Sequence, residues 1–133
     1  MLIQLFPKFW SIEDTNTFSN YIFIYGDNDK HIGCKGQAII RYQKNAYGIP
    51  TKKYPAYTIQ SYYTDDEYEL NVKKIDQSID IILDVLKDST YIGIFLPQDG
   101  LGTGLADLPH KAPLTYKYLM NAIDIMQNKV KLM

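Results

Sequence analysis

The residues able to do chemistry in this chain are concentrated in two short stretches. In the first, Ile22 to Tyr42, an apolar run breaks into Gly26, Asp27 and Asn28. It then passes His31, Gly33, Cys34, Lys35 and Gly36 before turning apolar again. In the second, Pro97 to His110, Asp99 precedes glycines at alternate positions, Gly100, Gly102 and Gly104, with Thr103 between the last two. Glycine lets the backbone come close to a bound molecule, and successive N–H groups in such a loop form a concavity suited to an anion. The expected chemistry is recognition of a phosphate, with Lys35 beside it to neutralise charge. Asp27 and Asp99 can pair as acid and base, bind ribose hydroxyls, or cap turns. His31 lies inside the first loop and His110 closes the second. Histidine moves protons readily near neutral pH, and at most one of the two is expected to function. Neither stretch has G-x-G-x-x-G or Walker spacing, so neither a dinucleotide fingerprint nor an ATP-hydrolysing loop is supported.

The elements that must position these loops follow from apolar patterning. Residues 2–6 read as an edge strand ended by Pro7. Residues 11–20 hold a short helix capped by Ser11, with Asp14 three residues on. Residues 21–26 and 90–97 are continuous apolar runs, as expected of strands buried on both faces. Residues 35–44 read as a helix entered from the glycines, whose N-terminus would face a phosphate. Residues 46–51 and 54–63 have strand composition, with Pro50 and Pro55 favouring an edge or irregular pair. Val72, Ile75, Ile79, Ile82 and Leu86 line one face of a helix over 67–88. A last helix starts near Pro113, with Leu114, Tyr118, Ala122, Ile125 and Met126 as its inward face. This alternation predicts one α/β domain over 1–133, a three-layer α/β/α sandwich with a mixed sheet. Ligands in such sheets sit beyond the carboxyl ends of the strands, where both glycine loops lie. Thr51 and Lys52 end a neighbouring strand and are expected on the same rim.

Composition narrows the partners. The 133 residues carry a formal net charge of −1, which provides no basic field for nucleic acid. The twelve tyrosines suit half-buried positions and pocket walls. Tyr62, Tyr63 and Tyr68 would form a contact patch if the chain were an interaction module. The lone cysteine, Cys34, reads as a small packing residue, and its isolation points to a reducing compartment. The N-terminal segment, broken by Pro7 and Lys8, does not read as a signal peptide, and no run is long enough to cross a membrane. A cytoplasmic protein without metal or cofactor is expected.

The combined pattern resembles the macrodomain family, modules that bind ADP-ribose and related nucleotides. Asn28 follows the strand "IFIY", with Gly33 and Gly36 at the spacing of the first and last glycines of the family's run. Pro97 ends a later strand, and Gly102, Thr103 and Gly104 fall where the family's second loop lies. Cys34 and Lys35 interrupt the first run, and the second loop is longer than the family's. "YGDN…GCKGQA…YGIPTK" is also similar to short, mostly phage-encoded macrodomain-like proteins. The resemblance covers about residues 21–120. It implies an α/β sandwich binding an ADP-ribose-like or other phosphorylated nucleotide between the loops. Gly26, Asn28, His31, Gly33, Lys35, Gly36, Thr51, Lys52, Asp99, Gly100, Gly102, Thr103 and Gly104 would form the binding surface. Asn28 and Asp27 would serve any hydrolysis of an ADP-ribosyl bond, and Glu13 or Asp14 would receive the base. The alternatives are a phage protein that sequesters a host nucleotide signal in the host cytoplasm, thereby countering host defence, and an interaction module with an empty pocket.

Overall fold

Alternation along two central strands divides the molecule into two cores. The computed structural model describes residues 1–6 and 9–133; the strand stop expected at Pro7 lies outside them. In β2 (Tyr21–Asn28), Ile22 and Ile24 point to one face of the sheet, and Phe23 and Tyr25 to the other. In β4 (Gly93–Pro97), Ile94 and Leu96 join the first face and Phe95 the second. This is the period of two that any strand imposes. The flanking strands are β1 (Leu2–Phe6) and β3 (Ala46–Lys52), and the order across the sheet is β1-β4-β2-β3.

The first face is aliphatic. It is covered by α2 (Tyr68–Lys87) and α4 (Pro113–Lys131), which bring Ile75, Ile79, Ile82, Leu86, Leu119, Met126 and Val130 onto Ile22, Ile24, Ile49, Ile94 and Leu96. Burying each such side chain contributes roughly 1.5–3 kcal/mol. The second face is aromatic. Phe23 stacks on Phe95 with centroids 4.8 Å apart, and Trp10 meets Phe23 edge-on. It is covered by α1 (Ile12–Thr17) and a 3-10 turn, Gly36–Ile40. Helix α1 has the expected capping box between Ser11 and Asp14. A further short helix, α3 (Leu108–Lys111), precedes α4.

Four expectations are corrected. Every strand pair is parallel, not mixed. The segment over 54–63 is not a strand: it contributes only the antiparallel bridge Lys52–Tyr62 and a 3-10 turn, Ile59–Ser61. The helix expected over 35–44 is the five-residue 3-10 turn. The Gln37 carbonyl, which would accept from Arg41 in an α-helix, accepts instead from the Trp10 indole at 3.0 Å, while the Arg41 N–H turns to Ala38 at 3.1 Å. Finally, α4 is rotated from its expected face. Thr115, Leu119, Met126 and Val130 are buried, whereas Leu114 and Ile125 are exposed. Asp65 sets that rotation by accepting from the N–H groups of Leu114 and Thr115 and from the Thr115 hydroxyl.

Candidate functional site

Because all four strands run the same way, their carboxyl ends lie along one edge of the sheet. A cleft of about 1040 Å³ opens there, at the upper end of the range for small-molecule sites. Each strand contributes its last residues: Phe6 from β1, Pro97 from β4, Gly26, Asp27 and Asn28 from β2, and Thr51 and Lys52 from β3. The glycine loops form the walls, Gly33 to Gly36 on one side and Gly102 to Gly104 on the other. They meet across the cleft: a Cβ on Gly36 would lie 3.5 Å from Leu105 Cδ1.

One side chain ties the loops to the sheet. Gln37 accepts from the Gly26 N–H at 2.9 Å and donates to the Gly100 carbonyl at 3.0 Å. Gly100 therefore faces away from the site and does not line it, contrary to expectation. The N–H groups of Gly33, Cys34, Gly102, Thr103 and Gly104 have no acceptor among the described residues. Gly36 and Gly102 hold φ of +59° and +77°, the region only glycine occupies without strain. A Cβ on Gly102 would also press on Leu108 at 3.0 Å. Gly104 differs, with no atom within 4 Å of a Cβ placed there. The five-residue turn after the first loop supplies little helix dipole.

The first loop is held from below by Asp27 and Arg41, both buried. One Asp27 oxygen accepts from the Arg41 guanidinium and from the Asn28 N–H at 2.7 Å; the other meets His31 Nδ1 at 2.6 Å. Arg41 also donates to the carbonyls of Gly33 at 2.7 Å and Ile32 at 3.0 Å and lies over the Tyr25 ring. Burial, with the Asp27 charge second, pushes the Tyr25 hydroxyl up to about 12. Asn28 donates to the Ile32 carbonyl at 2.8 Å and accepts from the Lys30 N–H at 3.0 Å. Asp27 and Asn28 thus shape the loop, the Asp27 carboxylate being held by Arg41, the Asn28 N–H and His31. Gly48 makes room for this arrangement, because a Cβ there would fall 2.7 Å from that of Asp27.

Lys52 is the opposite case. It is 6% exposed and forms no ion pair among the described residues. Its Nζ sits 4.6 Å from the ring centres of both Tyr57 and Tyr62. Burial holds its pKa below the ordinary lysine value. A bulge in the β2–β3 pairing leaves Thr51 unpaired and shifts the register by one at Lys52, so Ile49 through Lys52 are buried in succession. Bulges re-aim side chains in this way beside binding sites. Thr51 donates its hydroxyl to the Asp27 carbonyl at 3.2 Å.

The remaining expected residues divide. Lys35, Asp99 and Thr103 line the cleft, the Thr103 hydroxyl donating to the Asp99 carbonyl at 2.9 Å. His31 does not line it, because Asp27 holds its ring on the outer side of the loop, 70% exposed. His110 pairs with Asp107 and also lies outside. Glu13 and Asp14 lie on α1, away from the cleft. Cys34 is exposed and lines the cleft rather than packing in the core. Tyr63 is fully buried with its hydroxyl donated to Asp29, so the expected tyrosine patch does not form. Sequence reasoning missed Gln37, Arg41 and the aromatic wall of Phe6, Phe9 and Trp10. Arg41 did carry a signal, as the only arginine in the chain.

The chain belongs to the family described as "Family of unknown function (DUF7831)", which it matches over residues 5–122. No curated protein and no solved structure matches it. Among the described residues, no helix is long and apolar enough to cross a membrane.

Proposed function

We propose that this member of the family binds a phosphorylated nucleotide of the ADP-ribose type, in the manner of a macrodomain, between its two glycine loops. The observation that carries the reading is that two glycine loops, several of whose amides have no acceptor among the described residues, line opposite sides of one cleft at the carboxyl ends of four parallel strands. Two cations, Lys35 and Lys52, line that cleft without anionic partners, against one exposed carboxylate, Asp99. The backbone of Gly33 to Gly36 and of Gly102 to Gly104 would wrap the diphosphate, and the aromatic wall would take the base.

Binding without turnover is favoured over hydrolysis of an ADP-ribosyl bond. Asp27 has both oxygens engaged, and the Asn28 amide is closed onto its own loop. Such a binder suits the sequestering role that similarity to phage-encoded proteins implies.

Calorimetry and thermal shift with ADP-ribose, its 1″-phosphate, NAD and cyclic nucleotides test the reading, followed by chromatography of the recovered ligand. The expected result is binding with the ligand returned intact. Recovery of a cleaved product would make the protein a hydrolase, and absence of binding to the whole series would remove the nucleotide reading. Cys34 gives a second readout: as the only thiol, and inside the cleft, it should be alkylated more slowly when nucleotide is bound.

A further inference from the structure

The two ends of the cleft differ in chemistry, and the strand order separates them. β1 and β3 are the outer strands. With neighbouring strands about 4.8 Å apart, three spacings put their ends roughly 14 Å from one another. The β1 end is aromatic: Phe6 and Trp10 lie there, with Phe9 at the mouth, 86% exposed. The β3 end is cationic. There Lys52 is buried between Tyr57 and Tyr62 with no ion-pair partner among the described residues. Lys35 Nζ also approaches the Tyr57 ring, 6.0 Å from its centre.

The Lys52 stem is enclosed while its Nζ reaches the cleft, since Asn71 Oδ1 is the only fully buried side-chain polar atom without a partner among the described residues. Aromatic faces offset part of the ammonium's lost hydration but accept its hydrogens weakly, which leaves them to water or to an anion in the cleft. Phosphate oxygens at the open side of this cage would meet that need.

We infer that Lys52 anchors a phosphate group at the β3 end of the cleft, distant from the end where Phe9 receives the base. This rests on the nucleotide reading and sharpens it. The ligand is then a nucleotide that carries an anionic group at the end remote from its base, with the loop amides holding what lies between. Lys35, on the rim, adds charge without being enclosed.

Inorganic pyrophosphate separates the anchor from the rest of the ligand. Titrated into the full-length protein labelled with 15N at lysine Nζ, it should move the Lys52 signal. Its affinity should fall by about tenfold or more in Lys52→Met, with little change in Lys129→Met, on α4 outside the cleft lining. A silent Lys52 signal, or a Lys52→Met protein that binds pyrophosphate like the unmodified chain, overturns the proposal. The second arm compares ADP-ribose with its 1″-phosphate: the unmodified protein should prefer the phosphate-ended form, and Lys52→Met should bind both alike. An equal affinity for the two in the unmodified protein also overturns it. If pyrophosphate engages Lys52 while no nucleotide binds, the phosphate anchor stands and the nucleotide reading falls. If nucleotides bind but Lys52→Met changes nothing, the reverse holds.

Discussion

Arg41 and Lys52 are buried cations lining one cleft, and they are treated oppositely by the fold. Arg41 meets a carboxylate and two backbone carbonyls, so its fork is filled by the protein. Among the described residues Lys52 meets ring faces and no carboxylate. Guanidinium geometry suits fixed, multidentate partners, whereas an ammonium on a flexible stem suits a partner that arrives and leaves. The difference separates a charge that builds the site from a charge that the site holds in reserve.

The sharpest way to break this comparison is to remove each cation in turn. Arg41→Met removes the buried cation beside Asp27, leaving it the Asn28 N–H and His31, and should cost about 3 kcal/mol of folding stability. Denaturant unfolding would read that loss. Lys52→Met should leave ligand-free stability unchanged or higher, because a desolvated charge is removed and the rings keep an apolar neighbour. Its cost should fall on ligand affinity, about 1.5–3 kcal/mol if a charged hydrogen bond is lost, as measured by calorimetry with ADP-ribose 1″-phosphate. Equal stability losses in the two variants would erase the distinction.

That contrast was only half visible in the sequence. The paired glycine loops could be read because glycine spacing after apolar strands is local, and the strand ends that carry them followed from β-branched runs. Lys52 was placed on the rim, but its burial depends on the bulge at Thr51 and on tyrosines whose expected strand does not form. The Asp27–Arg41 pair joins residues across a turn that was read as an α-helix. Only the capture of the Gln37 carbonyl by Trp10 from a distant segment makes it a 3-10 turn. His31 was misplaced for the same kind of reason: its left-handed backbone, φ 54°, and its bond to Asp27 turn the ring outward.

The second loop allows a finer version of the same test, since its glycines differ in what they serve. Gly102→Leu forces a side chain into a positive-φ position against Leu108 and should destabilise by roughly 1–3 kcal/mol. Gly104→Leu places its Cβ in open space, with no atom of the described residues within 4 Å. It should unfold like the unmodified protein while lowering nucleotide affinity by about tenfold, or 1.4 kcal/mol, by filling the space beside the loop amides. Unchanged affinity in Gly104→Leu would mean that the ligand does not approach this loop.

The smallest effect is the pH response of Lys52, and its sign is opposite for folding and for binding. Burial lowers the folded-state pKa below the unfolded value of 10.5. Between those two values the unfolded chain binds more protons than the folded one, so the contribution of this group to stability rises with pH through that window. Below the folded pKa its desolvation penalty is present in full. Anion binding needs the ammonium, so affinity falls as pH rises through the same window. A bound phosphate should in turn raise the pKa of Lys52 toward its ordinary value. Tyr25 and Tyr118, both pushed up from 10.0 to about 12, stay protonated in the fold while the unfolded chain's tyrosines ionise, so they lower stability as pH rises through 10 and oppose the Lys52 slope. The informative quantity is therefore the difference between the unmodified protein and Lys52→Met, measured by urea unfolding and by pyrophosphate affinity at matched alkaline pH. Opposed slopes that both vanish in the variant would locate the charge held in reserve at Lys52, and parallel slopes would place it elsewhere in the cleft.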